Sequence, residues 1–279
     1  MNAFLNRIKD ADAIIYVGGI SPQLEGEEMR VDFPGFKGGD RTSILLPQIQ
    51  TDAMKALKST GKPVVFVMMT GSALATPWES ENIPAIVNAW YGGQAAGTAL
   101  ADVLFGDYNP SGRLPVTFYS SDKDLPSFED YSMKNRTYRY FTGKPLYGFG
   151  YGLSYTTFRY DQLAMPVTAQ NGKPVKVTVR VTNTGKTVGD EVAQIYVVNE
   201  NASIQTSLKT LKGFQRISLR PAESKVVSFL LQPDDLTYVD ADGQRKPLTG
   251  RIQICVGGSQ PDEPNWTSGN VVKKEVAIK

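Results

Sequence analysis

Hydrophobic positions follow two different periods in the two halves of the chain. In residues 1–119, short apolar runs alternate with segments whose apolar residues recur every three or four positions. The runs predict strands and the recurring segments predict helices. We predict strands at 13–18, 63–70, 85–90 and 114–118, and helices at 47–59 and 94–105. This alternation is typical of an α/β layer built on a mostly parallel sheet.

The hydrophobic period changes to two from residue 161. Val175, Val177, Val179 and Val181 alternate with polar residues, so one face of the segment is apolar and the other is polar and faces solvent. Similar stretches, separated by turn residues, lie at 191–198, 208–219, 225–231, 251–256 and 270–278. Such a series of short strands predicts an immunoglobulin-like antiparallel β-sandwich.

The two halves are joined by a segment without clear periodicity. Residues 120–160 are rich in Tyr, Phe and Gly, and we interpret them as an extended connector held by aromatic side chains. The sequence therefore predicts three parts, with boundaries at 1–119, 120–160 and 161–279. The fold class is α/β followed by all-β.

Composition removes several classes of chemistry. The 279 residues include 30 Lys+Arg, 28 Asp+Glu, one Cys and no His. Without His there is no Ser-His-Asp triad and no His-ligated metal, and a single Cys gives no zinc-binding cluster. The net charge of +2 and the absence of a long apolar run favour neither a nucleic-acid nor a membrane partner. We expect no cofactor and no metal site, so acid/base chemistry falls to carboxylates, Lys or Tyr.

An acidic loop follows the first predicted strand. Ligand sites of open α/β sheets lie beyond the carboxyl ends of their strands, and this loop begins at such a place. Its carboxylates are Glu25, Glu27, Glu28, Asp32 and Asp40. From spacing alone, a functional site and a solvated acidic loop both remain open. Two further features favour structural roles: the glycines of 92–97 predict close packing of the next helix on the sheet, and Cys255 lies within a predicted strand.

Ordered motifs along the chain resemble those of glycoside hydrolase family 3, in particular its bacterial β-xylosidases and β-glucosidases. The motifs are VGGISP (17–22), LEGEEM (24–29), GGDRT (38–42), AWYGGQ (89–94), NPSGRLP (109–115), YGFGYGLSY (147–155), GDEVAQ (189–194) and LKGF (211–214). The resemblance implies the last part of the family's α/β sandwich domain in the first half, followed by its fibronectin type III-like domain.

The resemblance also implies an activity and a residue for it. Family members carry their Asp nucleophile on an N-terminal (β/α)8 barrel, which no segment here resembles. They are retaining enzymes that remove β-linked sugars from non-reducing ends, and the form of the acidic loop favours xylose over glucose. The family's general acid/base falls on Glu27, with Glu25 and Glu28 as the neighbours that a shifted alignment selects instead.

Two interpretations of the chain remain open at this stage. In the first it is part of an enzyme whose partners are a β-linked oligosaccharide or aryl glycoside and a barrel, in cis or on a separate chain. In the second it is a non-catalytic accessory module or a truncated product. Both predict that the isolated chain is inactive, and that an exposed sheet edge makes it aggregate or require a partner. Relatives are often periplasmic or extracellular, but the location of this protein does not follow from the chain.

Overall fold

A computed structural model describes residues 2–25, 30–199, 206–262, 265 and 268–279. The chain divides into two compact units that interleave along the sequence. The first contains Met1–Asp102, Phe118–Leu125 and Gly143–Tyr147, and the second contains Val103–Thr117, Pro126–Thr142 and Gly148–Lys279. None of the helices in the described residues is long and apolar enough to cross a membrane.

The first unit is built on a three-stranded parallel sheet. Its helices and strands are α1 (Asn2–Arg7), β1 (Ile14–Gly19), α2 (Pro22–Glu25), β2 (Asp32–Phe33), β3 (Phe36–Lys37), β4 (Asp40–Arg41), α3 (Gln48–Lys58), β5 (Val64–Met69), α4 (Pro77–Asn82), β6 (Ala85–Asn88) and most of α5 (Ala96–Phe105). The strand order in the parallel sheet is β1-β5-β6, and β2, β3 and β4 form a small antiparallel sheet.

The central strand explains why this sheet forms. In β5, Phe66, Val67 and Met68 are all buried, as expected for a parallel strand covered on both faces. On α3, Met54 and Leu57 are spaced three apart and are also buried, so they share one face of the helix. The helix predicted at 47–59 and the strands predicted at 13–18, 63–70 and 85–90 are confirmed by α3, β1, β5 and β6.

The strand predicted at 114–118 is wrong. The described chain has a single isolated bridge there, between Phe118 and Tyr147. Before it, the Leu114 N–H donates to the Tyr151 carbonyl at 2.8 Å, and Leu114 accepts from the Gly150 N–H at 2.7 Å. Pro115 has no N–H to continue such a ladder, which is why the apolar run pairs locally but does not extend as a strand.

Close packing of the glycine-rich start of α5 on the sheet is also not what the structure shows. A Cβ at Gly93 or Gly97 would have no neighbour within 4 Å, and at Gly92 it would meet only Ala96, the first residue of α5, rather than the sheet. No residue of α5 is buried, and Phe105 is 77% exposed. The helix is where the apolar pattern placed it, but its apolar residues do not form a core.

The second unit is an antiparallel β-sandwich. Its helix and strands are α6 (Thr137–Tyr140), β7 (Phe158–Ala164), β8 (Thr168–Ala169), β9 (Val175–Asn183), β10 (Gly189–Val198), β11 (Lys209–Leu219), β12 (Ser224–Leu231), β13 (Thr237–Val239), β14 (Arg245–Pro247), β15 (Gly250–Gly257) and β16 (Val271–Ile278). One sheet has the order β11-β10-β15-β16-β8, the other β12-β9-β7, and β13 pairs with β14. The short β8 joins β16 in parallel.

The core of the sandwich follows the period-two pattern. Val175, Val177, Val179 and Val181 on β9 are buried and share one core with Ile195 of β10 in the opposite sheet. The predicted strands of the second half are confirmed, as is the fold class of α/β followed by all-β.

One strand that the pattern missed shows why alternation can fail. In β7 the pairing with β9 shifts between Asp161 and Ala164, and Gln162 has a φ of 53°. This irregularity turns successive side chains out of strict alternation, so the apolar period of two is lost in the sequence.

Aromatic residues from the segment 120–160 pack on the sandwich. Tyr138 stacks on Phe149 with ring centroids 4.1 Å apart and meets the ring of Tyr196 edge-on at 6.3 Å. These side chains also contact the buried Cys255 and Val271. The aromatic composition of the segment therefore serves to attach this part of it to the second unit.

Candidate functional site

The carboxyl ends of β1, β5 and β6 lie at one edge of the parallel sheet. Parallel pairing places Gly19 beside Met69 and Met68 beside Asn88. The loops that leave these three strands therefore begin next to one another. This is the edge at which open α/β sheets usually bind ligands.

The start of the loop after β1 is held at several points. The Gly19 N–H donates to Gln50 Oε1 at 2.7 Å, and Gln50 Nε2 donates to the Gly19 carbonyl at 2.6 Å. The Ile20 N–H donates to the Met69 carbonyl at 2.9 Å, and the Tyr91 hydroxyl donates to the Ile20 carbonyl at 2.8 Å. The direction in which the chain leaves β1 is thus fixed by α3, β5 and the loop after β6.

Gly19 is required at this position. Its φ is 120°, and an added Cβ would lie 1.9 Å from the Met69 carbonyl oxygen. We predict that Gly19→Ala lowers the free energy of unfolding of the first unit by about 2 kcal/mol or more, because backbone strain and a backbone clash add. Gly93→Ala, which meets open space, should change it by less than about 0.5 kcal/mol. Thermal and urea unfolding would show this, and equal melting of the two variants would contradict it.

The far end of the same loop is held by Arg41 of β4. Its Nη1 donates to Ser72 Oγ at 2.8 Å and to the Ala73 carbonyl at 3.3 Å, and its Nη2 donates to the Ser43 carbonyl at 3.1 Å. Ser72 lies in the loop after β5. The guanidinium therefore ties the end of the acidic loop to a second loop at the same edge of the sheet.

Only some of the acidic residues of this loop lie in the described part of the chain. Asp32 and Asp40 are exposed on β2 and β4, and Glu25 is the last residue of α2. Glu27 and Glu28 fall within 26–29, outside the described residues, so the assignment of Glu27 stays a prediction. Among the described residues, no three His, Cys, Asp or Glu side chains come together as a group that could hold a metal ion.

Three positioning residues were not found by sequence reasoning. Gln50, Tyr91 and Arg41 hold the loop ends, yet each resembles an ordinary surface residue in the sequence. Asn88, at the end of β6, was missed as well. Its amide nitrogen and oxygen are buried without a hydrogen-bond partner in the described part of the chain. The sequence does show Asn88 as a polar residue at the end of an apolar strand. That position could have marked it as a candidate, since buried polar groups are rarely left without a hydrogen-bond partner.

Below this edge, β1 faces a buried carboxylate. Glu79 of α4 is 1% exposed and accepts a hydrogen bond from the Thr51 hydroxyl of α3. Burial raises the pKa of Tyr16, and the Glu79 carboxylate raises it further. Tyr16 thus stays neutral at ordinary pH and acts as a packing residue rather than as a base.

Comparison with known proteins adds an independent line of support. The family model of the glycosyl hydrolase family 3 C-terminal domain matches residues 1–155, and that of the fibronectin type III-like domain matches residues 191–260. The chain is 47% identical to a xylan 1,4-β-xylosidase of Xylanibacter ruminicola, over 92% of this chain and 30% of that protein. It is 39% identical to a periplasmic β-glucosidase of Salmonella typhimurium, over 89% of this chain and 33% of that protein.

A solved structure agrees with these matches. A β-glucosidase of Erythrobacter marinus superposes with a TM-score of 0.82 and 33% sequence identity, covering 100% of this chain and 36% of that one. The chain thus spans about a third of the length of the relatives that it matches. Because the first family model alone covers 155 of the 279 residues, the chain belongs to glycosyl hydrolase family 3.

Proposed function

We propose that this chain supplies the general acid/base of a retaining, exo-acting β-glycosidase. The observation that carries the proposal is the acidic loop, which leaves the carboxyl end of β1 and is held at both ends by Gln50, Tyr91 and Arg41. The described ends of the loop are thus fixed at the carboxyl edge of the sheet, where ligand sites of α/β sheets lie. Family membership supports Glu27 as the general acid/base.

The proposed reaction needs two carboxylates about 5 to 5.5 Å apart. A nucleophilic Asp on an N-terminal barrel attacks the anomeric carbon while Glu27 gives its proton to the leaving oxygen, which forms a covalent glycosyl-enzyme. Glu27 then takes a proton from water, the water oxygen attacks the anomeric carbon, and the Asp leaves. Sugar is released and Glu27 is protonated again.

The neighbours of Glu27 suit it for the acid step. Glu25 and Glu28 are adjacent carboxylates in the sequence, and like charges disfavour ionisation of a carboxyl group between them. A raised pKa keeps the proton on Glu27 until the leaving oxygen needs it. We propose this repulsion as the source of its acidity.

For the substrate, we propose a β-linked xylose at a non-reducing end, with glucose as the alternative. Support comes from the acidic loop motif and from the 47% identity to a protein named as a xylan 1,4-β-xylosidase, against 39% to one named as a β-glucosidase. Oligosaccharides and aryl β-glycosides are the proposed substrates.

An uncovered edge of the parallel sheet supports a barrel-bearing partner in cis or on a separate chain. β1 is an outer strand, and its Ile15 and Val17 are 49% and 61% exposed. Exposed apolar side chains on an edge strand favour association with another protein surface. We propose that the part of the enzyme carrying the barrel covers this edge.

We predict that the purified 279-residue chain alone gives no turnover of aryl β-xylosides or β-glucosides, because the proposed reaction takes its nucleophilic Asp from the barrel. Release of the aryl group is the readout, and addition of a family 3 barrel portion should restore it. Turnover by the chain alone would contradict the proposal that the acid/base lies on this chain and the nucleophile on a separate barrel. Binding of that portion without any turnover would instead favour the non-catalytic accessory module.

A further inference from the structure

A carboxylate from outside the acidic loop holds the chain where that loop ends. Asp122 Oδ1 accepts the Ile44 N–H at 2.7 Å, and Asp122 Oδ2 accepts the Ser43 hydroxyl at 2.8 Å. Asp122 lies in Phe118–Leu125 of the first unit, 78 and 79 positions along the sequence from these two partners. Because each carboxylate oxygen binds one of two adjacent residues, Asp122 fixes both the position and the direction of the chain at 43–44.

Ser43 joins this contact to the one that Arg41 makes. The Ser43 carbonyl accepts from Arg41 Nε at 3.3 Å and from Nη2 at 3.1 Å, while Arg41 Nη1 donates to Ser72 Oγ at 2.8 Å. The residues that follow β4 are therefore held from two sides, by the loop after β5 and by the segment that contains Asp122. Hydrogen bonds that share residues in this way reinforce one another, so the loss of one should loosen the others.

The 3-10 helix Asp122–Asp124, which carries this carboxylate, is itself fixed. Asp124 Oδ2 accepts the Ser121 N–H at 3.1 Å as part of a capping box. Just before the helix, Phe118 is fully buried, and its ring meets that of Trp90 edge-on with centroids 6.2 Å apart. Trp90 follows β6. A side chain that is supported in this way can impose its position on the residues that bind it.

The small antiparallel sheet connects the held residues to the segment that contains the proposed acid. In this sheet β4 pairs with β3, and β3 pairs with β2. The Gly38 N–H donates to the Val31 carbonyl at 3.2 Å, which extends the attachment to the residue before β2. Val31 comes shortly after Glu27 in the sequence. Holding the chain at the end of β4 therefore also holds the point at which it returns from Glu27.

We propose that Asp122 is a positioning residue for the acid/base step, and that it acts on the acidic loop through Ser43 and Ile44. The inference rests on the proposed function of Glu27 and adds a residue outside the loop on which that function depends. A general acid must lie within hydrogen-bond reach of the oxygen that it protonates, and a displacement of about 1 Å can cost up to about a hundredfold in rate. Asp122 itself touches no substrate in this role.

The test compares kcat/KM for methyl β-D-xyloside and 2,4-dinitrophenyl β-D-xyloside, in a protein that carries this chain together with its barrel. Only the methyl glycoside needs a proton on its leaving oxygen. We expect Asp122→Ala to lower the ratio of the methyl value to the dinitrophenyl value about tenfold. A variant that only unfolds a fraction of the molecules lowers both values by the same factor and leaves this ratio unchanged.

Two further variants show whether the hydrogen bonds of Asp122 cause the effect. In Asp122→Asn the amide oxygen can accept the Ile44 N–H and the amide nitrogen can donate to the Ser43 hydroxyl, so the ratio should return to within about threefold of the unmodified protein. Asp52→Ala is the matched control. Asp52 is exposed on α3 and accepts from Gln48 Nε2 at 2.8 Å, so its loss should change the ratio less than about twofold.

Three results would overturn the proposal: an unchanged ratio in Asp122→Ala, an equal loss in Asp122→Asn, or an equal loss in Asp52→Ala. The same assay separates this inference from the function on which it rests. If Glu27→Gln lowers the ratio and Asp122→Ala does not, only the positioning role of Asp122 is wrong. If neither variant lowers it, the assignment of Glu27 is wrong as well.

Discussion

Replacing Glu27 by Gln, in a protein that carries this chain together with its barrel, should slow the hydrolysis of substrates with poor leaving groups about 10² to 10⁴-fold. Xylobiose and alkyl β-xylosides leave as basic alkoxides that need a proton, which glutamine does not provide. A 2,4-dinitrophenyl β-xyloside leaves as a stabilised anion, so its first step should be nearly unchanged. The measurement is kcat/KM for each substrate.

The matched controls are Glu25→Gln and Glu28→Gln, which remove one neighbouring carboxylate each. We expect a loss of less than about tenfold, and a shift of the pH optimum to lower pH because less repulsion leaves Glu27 with a lower pKa. If Glu27→Gln lost the same factor on both substrates, the residue would not be the acid. If Glu25→Gln or Glu28→Gln showed the leaving-group difference instead, the role would belong to that neighbour.

Glu191→Ala should lower the free energy of unfolding of the second unit by about 3 to 5 kcal/mol, because it leaves a buried guanidinium without its partner. Glu191 is 1% exposed; its Oε2 accepts from Arg113 Nη2 at 2.6 Å and its Oε1 from the Tyr160 hydroxyl at 2.6 Å. Arg113 also donates to the Gly258 carbonyl at 3.1 Å. The glutamate thus holds the segment around Arg113 on the sandwich.

The control for this variant is Glu275→Ala. Glu275 lies in the same five-stranded sheet and pairs with Arg251 at 3.5 Å, but both side chains are more than half exposed. Its removal should cost no more than about 1 kcal/mol. Urea unfolding measures the free energy of unfolding of both variants. Similar decreases would show that the buried Arg113–Glu191 pair contributes no more to stability than the exposed Arg251–Glu275 pair.

The same pair gives a pH dependence of stability. Burial raises the pKa of Glu191, and the Arg113 guanidinium and the Tyr160 hydroxyl oppose the rise. In Arg113→Met the main opposing charge is gone, so the folded state holds the Glu191 proton more tightly than the unfolded state. Stability should then fall as the pH rises from about 4.5 through the raised pKa. A melting temperature independent of pH over that window, relative to the unmodified chain, would contradict this.

Sequence patterns predicted the fold where one rule governed a whole segment. The valines of β9 and the apolar run of β5 each follow one period, and both segments are strands. Prediction failed where a local feature interrupted the period. Pro115 ends the pairing at 114–118, and the irregularity near Gln162 hides β7. The two compact units also interleave along the chain, which the predicted boundaries at 119 and 160 did not anticipate, and those boundaries remain predictions.

The candidate site was partly predictable for a similar reason. The position of the acidic loop after β1 follows from the order of strands and from the general location of ligand sites in α/β sheets. Its supports do not follow, because Gln50 and Tyr91 lie far from the loop start in the sequence and Ser72, the partner of Arg41, lies far from the loop end, so only the folded chain shows these contacts. The Arg113–Glu191 pair was missed for the same reason, since its members lie 78 residues apart.

The central claim, that Glu27 is the acid and base of a retaining reaction, is tested most directly by azide rescue. In Glu27→Ala, a good leaving group still departs, but no carboxylate activates the water that must attack the glycosyl-enzyme. Azide needs no such base, so it should attack the intermediate and restore turnover. We predict that Glu27→Ala converts a 2,4-dinitrophenyl β-xyloside to β-xylosyl azide, whereas Glu28→Ala and the unmodified protein form mainly xylose. Turnover of Glu27→Ala that does not respond to azide, or an α-configured azide product, would contradict the claim.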